Sequence, residues 1–183
     1  MTKALLLGTL LLMFNSCSDK NPVTNSGNAW LAVSSTFESL GAQDLSGWEI
    51  HGQMADDQVQ FSTEVPPNGG KWSIQLASNS RSTPYIEIRV PIDSTDKSSD
   101  YYFSFSVKGF GTASISIHSW NHILHPTVWT YQRGFKTDSW QEYTYTLSKR
   151  SAGFDSLSII LSPRVDSTAI ALFDNIQVIA VKQ

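Results

Sequence analysis

Hydrophobic and polar positions alternate with period two through most of this chain, and apolar residues at i, i+3, i+4 and i+7 are sustained nowhere. The clearest run is 102–108, with Phe103, Phe105 and Val107 on one face and Tyr102, Ser104, Ser106 and Lys108 on the other. Residues 113–118 repeat the pattern, Ala113, Ile115 and Ile117 against Ser114, Ser116 and His118. So do 71–77, through Trp72, Ile74 and Leu76, and 85–90, through Ile86, Ile88 and Val90. Shorter strands are expected at 29–33, 36–40, 47–51, 58–65, 128–132, 140–148 and 157–161. Turn residues separate these runs, most emphatically Pro66-Pro67-Asn68-Gly69-Gly70. Gly109-Phe110-Gly111 and Arg133-Gly134 are expected to turn the chain as well. About ten strands without a helix predict an all-β domain, a jelly-roll β-sandwich of two antiparallel sheets.

The closing run, 169–181, reads Ala-Ile-Ala-Leu-Phe-Asp-Asn-Ile-Gln-Val-Ile-Ala-Val. It is apolar at almost every position, as a strand covered on both faces should be. Asp174 interrupts it. A charge in such a strand is costly unless it is paired or bound to a metal. Its best candidate partner lies far upstream, at Phe37-Glu38.

At 183 residues there is room for one domain with a real core. The N-terminus stands apart from it. Lys3, an apolar stretch from Ala4 to Phe14, and Asn15-Ser16 before Cys17 have the form of a signal peptide over 1–16. The apolar stretch is too short for a bilayer span, which needs ~20 residues. It resembles a bacterial lipoprotein signal, of the looser kind found in Bacteroidetes-type bacteria, which implies a lipid on Cys17. An ordinary secretory signal followed by a free thiol is the alternative. Cys17 is the single cysteine, so no disulfide occupies it. Residues 17–28 are polar except for Val23 and make a flexible tether, leaving 29–183 as the folded domain.

Net charge is −3 with no basic stripe, which argues against a nucleic-acid partner. Charged residues make up 16% of the chain, below the ~25% usual for globular proteins. A weakly charged, hydroxyl-rich surface with 11% aromatics suits a secreted β-protein or a sugar binder.

The order of several motifs carries a family resemblance. Phe37-Glu38, Gly47-Trp48, Trp72-Ser73-Ile74-Gln75-Leu76 and Tyr102-Phe103-Ser104-Phe105-Ser106-Val107-Lys108 are followed by Trp140-Gln141-Glu142-Tyr143-Thr144 and Phe173-Asp174-Asn175-Ile176. This succession resembles carbohydrate-binding modules of the galactose-binding-like jelly-roll type over about 36–181. The resemblance implies a non-catalytic domain that binds poly- or oligosaccharide. It also implies a structural calcium held by the matching Glu38 and Asp174. The residues themselves allow that reading: if the terminal strands lie together, two carboxylates meet, and a hard cation with oxygen ligands relieves their repulsion. A solvated Glu38 with Asp174 capping a turn is the alternative.

For sugar contact the chain offers aromatic rings and polar strand faces. Ser104, Ser106, Lys108, Ser114, Ser116 and His118 are expected to line one polar surface, and Trp129 and Tyr131 to face the same way. Trp120 in the following loop is a candidate rim ring, and Tyr85, Glu87 and Arg89 are further outward candidates. Core packing suits Trp129 equally well. His118, His122 and His125 are spaced for a helical metal site, yet His118 ends a strand and Pro126 closes the loop, so they read as polar loop residues. No Gly-x-Ser-x-Gly elbow exists, and Glu87 and Glu142 are single acids, so catalysis is not expected. The expectation is a monomeric, lipid-anchored glycan binder of the cell envelope, at the outer membrane or cell surface. A structural or adhesion lipoprotein that binds protein is the second reading, and a small glycan hydrolase or lyase the third.

Overall fold

The computed structural model describes residues 29–95, 98–119, 128–149, 153–165 and 168–183. Residues 1–28, which include the expected signal peptide, Cys17 and the expected tether, lie outside them, as do Trp120, His122 and His125. Eleven strands follow in order: β1 (Ala29–Ser35), β2 (Glu38–Ser39), β3 (Ala42–Gln43), β4 (Trp48–His51), β5 (Val59–Ser62), β6 (Ser73–Ala77), β7 (Tyr85–Pro91), β8 (Ser99–His118), β9 (Val128–Lys149), β10 (Ser156–Pro163) and β11 (Ile170–Lys182). Among the described residues the one helical element is a short 3-10 turn, Asp56–Gln58.

The expected sandwich is present, built by two strands longer than the sequence suggested. In one layer β4, β7 and β10 lie beside 111–118 of β8 and 128–135 of β9. In the other, β5, β6 and β11 lie beside 99–109 of β8 and the second half of β9. Thus β8 and β9 pass from layer to layer without a break, and the expected turns at Gly109-Phe110-Gly111 and Arg133-Gly134 lie within strands. At Gly109 the reason is local crowding. Gly109 takes φ 93°, and a Cβ there would collide with the carbonyl oxygen of Ile170 on the neighbouring strand. Glycine in a strand commonly marks such a bend or a close backbone approach. Opposite it, the β8–β9 register slips so that Asp138, Ser139 and Trp140 all face Lys108. That bulge lets β9 follow the same corner.

Because parity is kept across the bend, Phe103, Phe105, Val107, Ala113, Ile115 and Ile117 all point into one core. Ile74, Leu76, Ile86, Leu157, Ile159, Phe173 and Val178 meet them there. Phe135 packs edge-on against Phe173 with ring centroids 5.5 Å apart, joining the two layers. Burying each such side chain contributes about 1.5–3 kcal/mol relative to exposure. Not every buried residue is apolar: Lys149 is fully buried and donates to the Asp93 carbonyl at 2.8 Å.

Replacing Gly109 with alanine adds both a left-handed strain and a backbone collision. Strain at such a position costs about 1–3 kcal/mol. Gly109→Ala is therefore expected to lower the urea midpoint by an equivalent amount with the slope unchanged. An unaltered midpoint would show that the bend does not depend on glycine.

Candidate functional site

Two constellations stand out, an acidic clasp at the closing strand and a polar outer face on the β4–β7–β10 layer. The clasp arises from a gap. One edge of β11 pairs with β6 through 170–173 and then with β1 through 176–181. Neither partner reaches Asp174 and Asn175. There the β8 register slips, from Asp174 opposite Ser106 to Gln177 opposite Ser104, and Asn175 adopts φ 51°. Past β1, buried Phe37 turns the chain with φ 54° and sends Glu38 back over the gap in the small β2–β3 hairpin.

Both carboxylates meet the Gly69-Gly70 corner. A Cβ on Gly69 would overlap Oδ2 of Asp174, and one on Gly70 would overlap the Glu38 carboxylate. Glu38 Oε2 accepts the Lys71 N–H at 2.6 Å. Asp174 is 0% exposed; its Oδ1 accepts the Asn175 N–H at 2.7 Å, while Oδ2 is buried with no hydrogen-bond partner. Burial pushes the Asp174 carboxyl up to about 7, aided by the negative Glu38 and opposed by the Asn175 N–H. An orphaned buried oxygen beside a second carboxylate is the arrangement a hard cation satisfies, so the donor set fits calcium. No group of three or more His, Cys, Asp or Glu suited to a metal exists among the described residues, so backbone oxygens or water would complete the shell.

The second constellation lies on the outward side of the other layer. Register sets Arg89, Ser158, Ser116 and Thr130 in one row across β7, β10, β8 and β9. Glu49 and Glu87 begin the next row, and His51 and Tyr85 the one beyond. Glu87 is only 9% exposed, and its Oε1 accepts from Arg89 at 2.7 Å and from the Ser158 hydroxyl at 2.6 Å. Burial pushes the Glu87 carboxyl up, but Ser158, the Arg89 guanidinium and His51 outweigh it and hold it below the usual carboxylate range. His51 Nε2 lies 3.5 Å from Glu49 and 3.8 Å from Glu87, and its ring stacks on Tyr85 with centroids 4.6 Å apart. The Ser116 and Thr130 hydroxyls bond at 2.9 Å. Burial, then the Arg89 charge, lowers the His118 pKa, against weaker pulls from Glu87 and Asp155. The polar groups of this face are therefore held by one another.

The sequence candidates do not form the single surface expected of them. The bend in β8 carries Ser116 and His118 to this face, where Arg89 of β7 also lies, and Ser104 and Lys108 to the outside of the opposite layer. Lys108 is engaged there by an ion pair with Glu64. Ser106 and Ser116 are buried rather than exposed. Tyr131 stands opposite Ile115 and packs against the core, stacked on Tyr145, so it looks inward and not along with His118. Trp129 stands opposite Ile117 in the ladder, its side chain outside the described part, as is all of Trp120. Sequence reasoning missed His51, Glu49, Ser158 and Thr130. Ser158 alternates with Leu157 and Ile159 and was legible as outward, whereas Thr130 was expected to face away from Trp129 and Tyr131; only the pairing shows that the two flank Glu87 and Ser116.

With metal removed by chelator, Asp174 makes stability depend on pH in a defined direction. Its folded pKa, about 7, lies above the ordinary 3.8, so the native state holds the proton more tightly. The contribution is fully present below the ordinary value and is lost as pH rises towards 7. The urea midpoint is expected to fall between pH 4 and 7 in the chelated protein and to fall less in Asp174→Asn. Equal slopes for the two proteins would contradict the buried carboxyl.

No family model matches this chain, and none of the curated proteins matches it. Solved structures do. A "CBM22-1 xylan-binding domain" from Paenibacillus barcinonensis Xyn10C superposes with a TM-score of 0.57 at 16% identity, over 87% of this chain and 99% of that one. A "Family 16 Carbohydrate Binding Module-2" gives 0.51 at 16% identity, over 66% and 84%. The enzymatically active domain of tailspike protein 4 of bacteriophage CBA120 gives 0.56 at 14% identity, over 74% of this chain but only 19% of its own length. At these identities the likeness is one of fold: the chain has the β-sandwich of carbohydrate-binding modules.

Proposed function

We propose that this chain is a non-catalytic glycan-binding module that takes poly- or oligosaccharide on the outer face of the β4–β7–β10 layer. The observation that carries the reading is Glu87, a nearly buried carboxylate on an outward strand face, fixed by Arg89 and Ser158 beside the Tyr85 ring. A sugar presents C–H faces to rings and hydroxyls to oriented polar groups, and this surface supplies both. Arg89 matches the charge of Glu87, which favours hydroxyl recognition over capture of a strongly charged ligand. The shared sandwich with modules named for carbohydrate binding supports the same reading.

Glu38 and Asp174 would hold a structural calcium ion, which supplies positive charge between them and ties the start of the sandwich to its closing strand. The domain would act as a monomer, carried by a lipid on Cys17 at the outer membrane or cell surface, with 17–28 as its tether.

Two measurements test this. On a glycan array the full-length chain in detergent is expected to retain a defined set of saccharides. Tyr85→Ala and Glu87→Gln should each weaken that binding several-fold or more, since a hydrogen bond to a charged group contributes about 1.5–3 kcal/mol. Retention unchanged in both variants would move the site elsewhere. Separately, calcium should raise the melting temperature of the native chain and leave that of Glu38→Gln nearly unmoved; an equal rise in both would remove the clasp as the binding site.

A further inference from the structure

The outside of the opposite layer carries a shallow groove of about 390 Å³ that the function above does not use. Its walls come from three adjacent strands. Register sets Thr146, Tyr102 and Ile179 in one row across β9, β8 and β11, and Thr144, Ser104 and Gln177 in the next. Two residues of strand separate the rows, about 6.7 Å. Tyr102 is 45% exposed and Ile179 37%, unusually open for large apolar side chains in the middle of a sheet.

The polar groups here differ from those around Glu87. There, Glu87, Arg89, Ser158, Ser116 and Thr130 are bound to one another. Here the hydroxyls of Ser104, Thr144 and Thr146 have no hydrogen-bond partner among the described residues. No carboxylate, amine, guanidinium or imidazole lines the groove. An exposed ring and an aliphatic side chain make a floor, and unengaged hydroxyls stand along it.

We propose that this groove is a second saccharide site, specific for an uncharged oligosaccharide segment laid across Tyr102 and Ile179. The ring covers C–H surface of a sugar, and Ser104, Thr144 and Thr146 each donate to or accept from its hydroxyls. Lacking any fixed charge, the groove discriminates against uronic or sulfated sugars, whose anionic groups would lose water with nothing to replace it. The two sites lie on opposite outer faces, so one chain would bridge two glycan strands. Two weak contacts on one tethered body raise the overall hold on a polysaccharide without any tight single site.

The test uses the full-length chain in detergent and a panel of neutral β-1,4-linked hexasaccharides, titrated by calorimetry and followed by NMR. Tyr102→Ala and the double variant Thr144→Val/Thr146→Val probe the groove, and Tyr85→Ala the opposite face. The expected result is that the two groove variants each weaken one of two binding events about tenfold or more, roughly 1.4 kcal/mol. Tyr85→Ala should abolish the other event. Binding lost with Tyr85→Ala and untouched by both groove variants would overturn the second site and leave the first intact. Binding lost only with the groove variants would support the second site and overturn the first. No binding by any hexasaccharide in the panel would overturn both. Equal affinity for a neutral and a fully uronic hexasaccharide at the groove would overturn its specificity.

Discussion

The closing strand β11 is hemmed in on both edges, and its one weak point organises the rest. Two different strands, β6 and β1, share a single edge of it, and they do not quite meet. In that gap sits a fully buried carboxyl, pressed against a Gly-Gly corner that also receives Glu38. Leaving a buried charge uncompensated costs several kcal/mol, more than any single apolar contact in the core returns. The fold can hold this arrangement only with a proton or a cation between the acids. The left-handed residues Phe37 and Asn175 fall on either side of the same spot, so backbone strain is concentrated there too.

From that corner the two long strands β8 and β9 carry the chain through both layers. Their continuity has a functional consequence. A strand that bends from one layer to the other, with inward parity preserved, shows its polar positions on opposite outsides of the sandwich. Ser114, Ser116 and His118 thus face away from Ser104 and Lys108, although one alternation generates them all. On the first side a carboxylate, a guanidinium and hydroxyls lock one another in place; on the second, hydroxyls around an open tyrosine remain unengaged. Locked groups lose little entropy on binding, whereas unengaged ones offer more new hydrogen bonds.

Much of this was readable from residue order. Period-two alternation gave nearly every strand, because each buries one face, and the largely apolar run 169–181 marked β11 as a strand, although Ile170 and Ile179 leave its outer side partly open rather than covered. Asp174 was visible as a misplaced charge, and its meeting with Glu38 followed from asking what could stand beside it. The bends were not readable. Gly109-Phe110-Gly111 has the composition of a turn, and only the approach of Ile170 shows that it is a corner within a strand. Tyr131 was mistaken for a surface ring because alternation fixes which residues share a face, not which face is inside; its pairing with Ile115 decides that. Lys149 gave no signal at all, since its burial depends on a carbonyl more than fifty residues away in the chain.

The most direct measurement is a double-mutant cycle on Glu38→Gln and Asp174→Asn, run by urea denaturation at pH 7 with chelator and again with saturating calcium. Acids that share one ion site must be coupled, and the sign must depend on what lies between them. The account predicts repulsive coupling, clearly beyond the ~0.5 kcal/mol scatter of independent sites, in the chelated protein. It predicts attractive coupling when calcium is bound. Additive effects in both conditions would mean that the two carboxylates do not act on one another, and the clasp would not exist.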